Sequence, residues 1–233
     1  MSVLRRYFAW DSPRLKKTAE LLVFGHAGQN WLVFPTARGR FFDWENFGMV
    51  EALRHPLQQG WLQLTCLDSF DHLSLYSRRM KPWIRIWKHN HFDEYVRQEV
   101  VPFVHQQLGS AYLGTAGASF GGYHAVNFAL RHPDVISKVV AMSGVYDLSF
   151  RLGRFRNRTV YFHSPMQYLP DLHDPRLAAM RFFLGVAAHE SFAQQHISLA
   201  QMLQSRGARV ALDVNPHGQH SWDYWSRFAR EAV

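Results

Sequence analysis

One segment limits what this chain can fold into more than any other: Gly117-Ala118-Ser119-Phe120-Gly121-Gly122. It follows Ala111-Tyr112-Leu113-Gly114-Thr115-Ala116, which reads as a short buried strand, and precedes Tyr123, Val126, Phe128, Ala129 and Leu130, which fall on one face of a helix. The helix is predicted to stop at Arg131-His132-Pro133, because proline disfavours helical backbone in the residue before it. Strand, tight turn and helix in that order are the setting in which a G-x-S-x-G motif presents a serine nucleophile. The turn is so sharp that only small residues fit two positions either side of the serine. Gly117 and Gly121 meet that demand, and Gly122 lets the helix pack close to the sheet. Ser119 then stands at a helix N-terminus, where free amides favour developing negative charge. Ser119 alone would also suit an ordinary helix N-cap; its flanking strand and helix favour the nucleophile.

The rest of the chain alternates in the same way. Apolar runs at Glu20–Phe24 and Trp31–Phe34, separated by Gly25-His26-Ala27-Gly28-Gln29-Asn30, predict a hairpin at the start of a sheet. Gly48–His55 predicts a short helix stopped by Pro56, and Leu62–Leu67 a strand. Leu73–His91 shows no clean period. Phe92–Leu108 predicts a long helix with a kink or break at Pro102. Strands follow at Lys138–Met142, Arg181–Ala187 and Arg209–Val214, with helices at Phe192–Ser205 and Trp222–Ala232. This order predicts an α/β fold, a mostly parallel sheet with helices on both faces. A chain of 233 residues, 47% of them hydrophobic, suits one domain over residues 1–233. The irregular stretches Leu73–His91 and Ser149–His173 are expected over the ligand-binding edge of the sheet. Their Trp83, Trp87, Phe150, Phe155, Tyr161 and Tyr168 suit a pocket and a core equally.

Composition narrows the function classes. The formal charge is +8, but the arginines are scattered and no nucleic-acid-binding signature accompanies them. A solvated basic surface is expected, not a nucleic-acid partner. Cys66 is the single cysteine and lies in an apolar run, so no intrachain disulfide forms and a reducing compartment is expected. Met1–Trp10 has no apolar run of signal-peptide length, and no window approaches the ~18 apolar residues of a membrane span. A cytoplasmic protein without a membrane partner is expected; the oligomeric state stays open. The pairs His89/His91 and His217/His220 lack further ligands in sequence, so no metal and no cofactor are expected.

A nucleophilic serine needs a base, and the base an orienting acid. With a G-x-S-x-G turn they follow the serine in the order acid, histidine. His217 and His220 both lie just after the last strand, and position alone leaves both open. Glu190, just past the strand Arg181–Ala187, is the natural acid; Asp174 before that strand and Asp213 inside the last one rank behind it. An oxyanion hole needs two backbone amides. Phe120, next to the nucleophile, should supply one, and Ala37, in the loop Pro35–Gly39 after an early strand, the other.

Taken together, these segments resemble the putative esterase family of α/β-hydrolases, which includes feruloyl and acetylxylan esterases, S-formylglutathione hydrolases and mycolyltransferases. The resemblance runs from Leu21 to Phe228. It rests on Gly117–Gly122, on Ser143-Gly144 after the following strand, and on His220-Ser221-Trp222-Asp223-Tyr224-Trp225. It implies an α/β-hydrolase fold and places the family's His-x-Trp histidine at His220 instead of His217. It places the second oxyanion amide in Thr36-Ala37-Arg38 and the acid at Glu190, where many members carry aspartate. Asp68-Ser69-Phe70-Asp71 resembles a loop of small bacterial members. The expected activity is that of a serine carboxylic-ester hydrolase, working on small-molecule esters through an acyl-enzyme. An acyltransferase or thioesterase on the same triad is one alternative, with Arg151–Arg158 meeting an anionic substrate or carrier. A non-catalytic binding protein on a hydrolase scaffold is the other.

Overall fold

The computed structural model describes residues 2–233. Its sheet comprises β1 (Arg5–Ser12), β2 (Lys17–Phe24), β3 (Gln29–Phe34), β4 (Leu62–Leu67), β5 (Leu113–Ala118), β6 (Ile136–Met142), β7 (Arg181–Ala187) and β8 (Arg209–Asn215). The spatial order is β1-β2-β4-β3-β5-β6-β7-β8. Every neighbouring pair from β4 to β8 is parallel, whereas β1–β2 and β2–β4 are antiparallel. The central strands β4 and β5 are buried along their whole length, as a parallel sheet covered on both faces requires.

The longer helices are α1 (Pro82–Tyr95), α2 (Val101–Leu108), α3 (Phe120–Arg131), α4 (Ala193–Ser205) and α5 (Trp222–Glu231). One face of the sheet packs against Phe92, Val100 and Val104 of the α1–α2 segment, Ala125 and Phe128 of α3, and Leu199 and Leu203 of α4. The other face packs against Tyr224, Trp225 and Phe228 of α5 and against Met49, Val50, Leu53 and Leu57.

Three sequence expectations are corrected. The segments Glu20–Phe24 and Trp31–Phe34 do not form a hairpin, because β4 lies between them, antiparallel to β2 and parallel to β3. The hairpin is β1–β2, with Arg5 opposite Phe24 and Ser12 opposite Lys17. The strand β1 shows the exposed–covered alternation of a sheet edge; Phe8 meets Phe103 of α2 edge to face and Trp10 stacks on it, with ring centroids 4.9 and 5.5 Å apart. The expected helix Gly48–His55 is two short pieces, Met49–Ala52 and Arg54–Gln58, and Pro56 sits inside the second. A first-turn residue has no intrahelical acceptor for its amide, so proline is tolerated there. The helix expected from Phe92 begins ten residues earlier, with Pro82 in its first turn. Its inward stripe of Ile86, His89, Phe92 and Asp93 mixes polar with apolar residues and so hides the period. The break anticipated at Pro102 is a π-helical turn, Val96–Val100, just before α2.

Asp93 is a buried carboxylate held by α3. It accepts hydrogen bonds from Arg131 at 3.2 and 3.3 Å and from His132 Nε2 at 2.9 Å. Burial alone would push its pKa up, but the His132 hydrogen bond and the Arg131 charge hold it well below the usual carboxylate range. The linked stability is therefore fully present above the ordinary aspartate value and drains away as pH falls through the lower folded value. Asp93→Asn strands the Arg131 charge and is expected to lower stability by about 3–5 kcal/mol. Urea unfolding at neutral pH measures this, and a midpoint equal to the parent's would refute it.

Candidate active site

Ser119 occupies the turn between β5 and α3 with φ 55° and ψ −124°. A non-glycine residue enters that region only where its surroundings impose it. Here the Ser119 amide donates to the Met142 carbonyl of β6 at 2.8 Å, and two glycines allow backbone to meet backbone. A Cβ on Gly117 would lie 2.2 Å from the Gly121 carbonyl oxygen, and one on Gly121 would lie 2.3 Å from that of Phe34. Gly121→Ala is therefore expected to push the turn and β3 apart and to cost more than about 4 kcal/mol. A thermal melt of the purified variant measures the loss; a melting temperature within a degree or two of the parent's, on the order of what a few tenths of a kcal/mol would cause, would refute it.

His220 follows β8 and Glu190 follows β7, and the structure brings both to Ser119. Glu190 Oε2 lies 2.8 Å from His220 Nδ1, and His220 Nε2 lies 3.0 Å from Ser119 Oγ. A carboxylate can only accept, so Nδ1 carries the proton, Nε2 is the acceptor, and the Ser119 hydroxyl donates to it. The imidazole is caged edge-to-face by Trp225 and Phe192, at 4.9 and 6.0 Å between centroids. The Glu190 side chain is 5% exposed and that of His220 43%. Burial pushes the Glu190 carboxyl up, but hydrogen bonds from His220, from Ser143 Oγ at 2.7 Å and from the Ala187 amide at 3.1 Å outweigh it and hold the pKa below the ordinary glutamate value.

The other sequence candidates lie elsewhere. His217 is exposed, and its amide bonds to Asn215 Oδ1. Asp174 pairs with Arg176, and Asp213 accepts from the Tyr224 hydroxyl at 3.1 Å. His89 and His91 diverge. His89 Nε2 donates to the Tyr123 hydroxyl, which itself donates to the His163 carbonyl, while His91 Nδ1 donates to the Trp87 carbonyl.

Phe120 opens α3, so its amide has no intrahelical acceptor. Ala37 lies in a turn closed by the Gly39 amide on the Thr36 carbonyl at 2.8 Å, with Arg38 at φ 60°. Beside Ser119 and His220 opens a cavity of about 400 Å³, lined by Tyr76, Phe120, Val145, Phe150, Phe192 and Gln195. Of the aromatic residues held equally for pocket and core, only Phe150 lines it. Trp83 and Trp87 are more than half exposed, and Tyr168 is core.

A model of the family described as Putative esterase matches residues 81–229, well over half of the chain. The chain belongs to the putative esterase family. No curated protein matches it. Among solved structures, a ferulic acid esterase has a TM-score of 0.78 at 17% identity, covering 99% of this chain and 96% of that one. An S-formylglutathione hydrolase from Staphylococcus aureus has a TM-score of 0.76 at 15% identity, with 100% and 98% covered. Mycobacterium tuberculosis MPT51 has a TM-score of 0.66 at 15% identity, with 98% and 96% covered. The common architecture is the α/β-hydrolase fold.

In this esterase-family chain two further residues brace the site. Ser143, at φ 52°, donates to Glu190 and accepts from Trp225 Nε1 at 3.1 Å. Asp71, buried in the Asp68–Asp71 loop, accepts from the Arg38 amide at 3.4 Å and contacts His124 Nε2 of α3 at 3.1 Å. It thus ties the Ala37 loop to the helix that carries Phe120. Sequence flagged both segments as points of resemblance but gave neither residue a task. No helix among the described residues is long and apolar enough to cross a membrane.

Proposed function

We propose that this chain is a serine carboxylic-ester hydrolase working through an acyl-enzyme, with Ser119 as nucleophile, His220 as general base and acid, and Glu190 as orienting acid. The observation that carries it is the unbroken hydrogen-bond chain from Ser119 Oγ through His220 to Glu190, open to a cavity of small-ester size. Ser119 Oγ attacks the acyl carbonyl as its proton passes to His220 Nε2. Glu190 keeps Nδ1 protonated and stabilises the imidazolium. The oxyanion meets the amides of Phe120 and Ala37, each worth about 3 kcal/mol. As the tetrahedral intermediate collapses, the C–O bond to the alcohol breaks and His220 returns the proton to the leaving alkoxide. Water then repeats the sequence on the acyl-enzyme, releasing the acid and restoring Ser119.

The thioesterase alternative drew on Arg151–Arg158. Of that run only Arg151 borders a cavity near the site, whereas Arg156 is tied to the Gly153 and Phe155 carbonyls. A fluorophosphonate probe tests the proposal directly. The parent should be labelled and Ser119→Ala should not. A folded parent that resists labelling would leave the non-catalytic binding protein as the better account.

A further inference from the structure

A second cavity, about 520 Å³, adjoins the first and shares Tyr76 with it. Its lining includes Ala37, Tyr76 and four arginines: Arg38, Arg78, Arg85 and Arg151. Three of the guanidiniums, those of Arg38, Arg85 and Arg151, gather round the Leu75-Tyr76 backbone and the Tyr76 ring. Arg38 donates to the Tyr76 carbonyl at 3.1 Å, and Arg85 donates to the Leu75 carbonyl. Arg151 lies 3.5 Å above the centre of the Tyr76 ring and Arg38 5.6 Å from it.

What is missing is an ion-pair partner. Several arginines elsewhere find carboxylates: Arg5 with Glu45, Arg14 with Glu94, Arg40 with Glu20 and Asp68, Arg131 with Asp93. Among the described residues, no carboxylate comes within salt-bridge distance of Arg38, Arg78, Arg85 or Arg151. The Nε atoms of Arg85 and Arg151 are buried donors without an acceptor. Burial, then repulsion from Arg151, loosens the hold of Arg85 on its proton. Like charges gathered with spare buried donors lower their free energy when an oxyanion enters between them, and planar guanidinium forks fit carboxylate and phosphate oxygens.

We propose that this cavity is an anion subsite of the active centre, and that the substrate is an ester bearing a carboxylate or phosphate on one of its two halves. The proposal rests on the hydrolase function above. The subsite borders Ala37, so an ester bound with its carbonyl at the Phe120 and Ala37 amides has an anionic end within reach of the arginines. Phe150, which lines the apolar cavity beside His220, has its ring 5.0 Å from the Arg151 guanidinium.

The test compares kcat/KM within matched pairs. 4-Nitrophenyl hydrogen glutarate against 4-nitrophenyl butyrate places a carboxylate on the acyl half. The acetate esters of 3-hydroxybenzoate and of 3-hydroxyphenyl phosphate, against phenyl acetate, place a carboxylate or phosphate on the alcohol half. At least one anionic ester should exceed its neutral partner by about tenfold, chiefly through KM, as expected for one charge-assisted hydrogen bond or more. The anionic-to-neutral ratio should fall towards one in Arg78→Ser and Arg151→Gln. It should persist in Arg54→Gln, which removes an equal charge from a pair with Glu51. Neutral esters turned over with no anionic preference would overturn the subsite alone, as would equal loss of preference in Arg54→Gln. Absence of all turnover, together with no fluorophosphonate labelling, would overturn the hydrolase function. Calorimetric titration with glutarate and inorganic phosphate then decides the subsite separately: binding lost in Arg78→Ser and Arg151→Gln upholds it, and no binding to the parent refutes it.

Discussion

Ser119→Ala is expected to lower kcat for a 4-nitrophenyl ester by about 10⁶, the scale seen when the nucleophile of a serine triad is removed. In the proposed mechanism Ser119 alone forms the acyl-enzyme, so no slower covalent route would replace it. The fold should not notice the change. The Ser119 hydroxyl donates to His220, whose side chain is 43% exposed, and water can take over that bond. Alanine meets the same φ of 55° that serine does, so no new backbone strain enters. Steady-state kinetics and a thermal melt on the same preparation test both halves. A variant within tenfold of the parent would remove Ser119 from the mechanism; a collapsed melting temperature would mean that activity was lost through the fold.

Glu190→Gln is expected to lower kcat by about 10⁴ with the site's shape retained, as for the equivalent acid-to-amide change in a serine protease. Glutamine can still accept from Ser143 and the Ala187 amide, so the side chain stays anchored. Towards His220 it presents an amide N–H, which forces the tautomer with Nε2 protonated, unable to take the Ser119 proton. The pH sign follows from the depressed Glu190 pKa. The stabilisation from its bonds is complete above the ordinary glutamate value and is lost as pH falls through the lower folded value. The same assay applied to Asp174→Asn separates the candidates. Severe loss there with a mild effect in Glu190→Gln would transfer the acid's role to Asp174.

The local signals in the sequence were the dependable ones. Gly117–Gly122 marks the β5–α3 turn because its constraint is steric and acts within five residues. Leu62–Leu67 reads as a strand because it is apolar throughout. Partners distant in the chain were not legible. Nothing in Glu20–Phe24 says that Leu62–Leu67 will come between it and Trp31–Phe34, because strand order is decided by long-range pairing. The start of α1 was hidden by His89 and Asp93, whose burial makes sense only once Tyr123 and Arg131 of α3 face them. Asp71 and Ser143 escaped for a similar reason. Their tasks depend on the Arg38 amide, His124, Glu190 and Trp225, between 33 and 82 positions away.

Ser119, Ser143, Glu190 and His220 lie beyond the carboxyl ends of β5, β6, β7 and β8, which stand side by side in the sheet. The sheet is thus a ruler for the chemistry: pairings such as Gly185 with Asp213 and Ala187 with Asn215 fix how far His220 stands from Ser119. A slip of one residue between β7 and β8 would move the imidazole by about 3.3 Å, far beyond what a hydrogen bond of ordinary length tolerates. Turnover therefore reports on four strands at once, and activity and sheet pairing should vanish together along a denaturation curve.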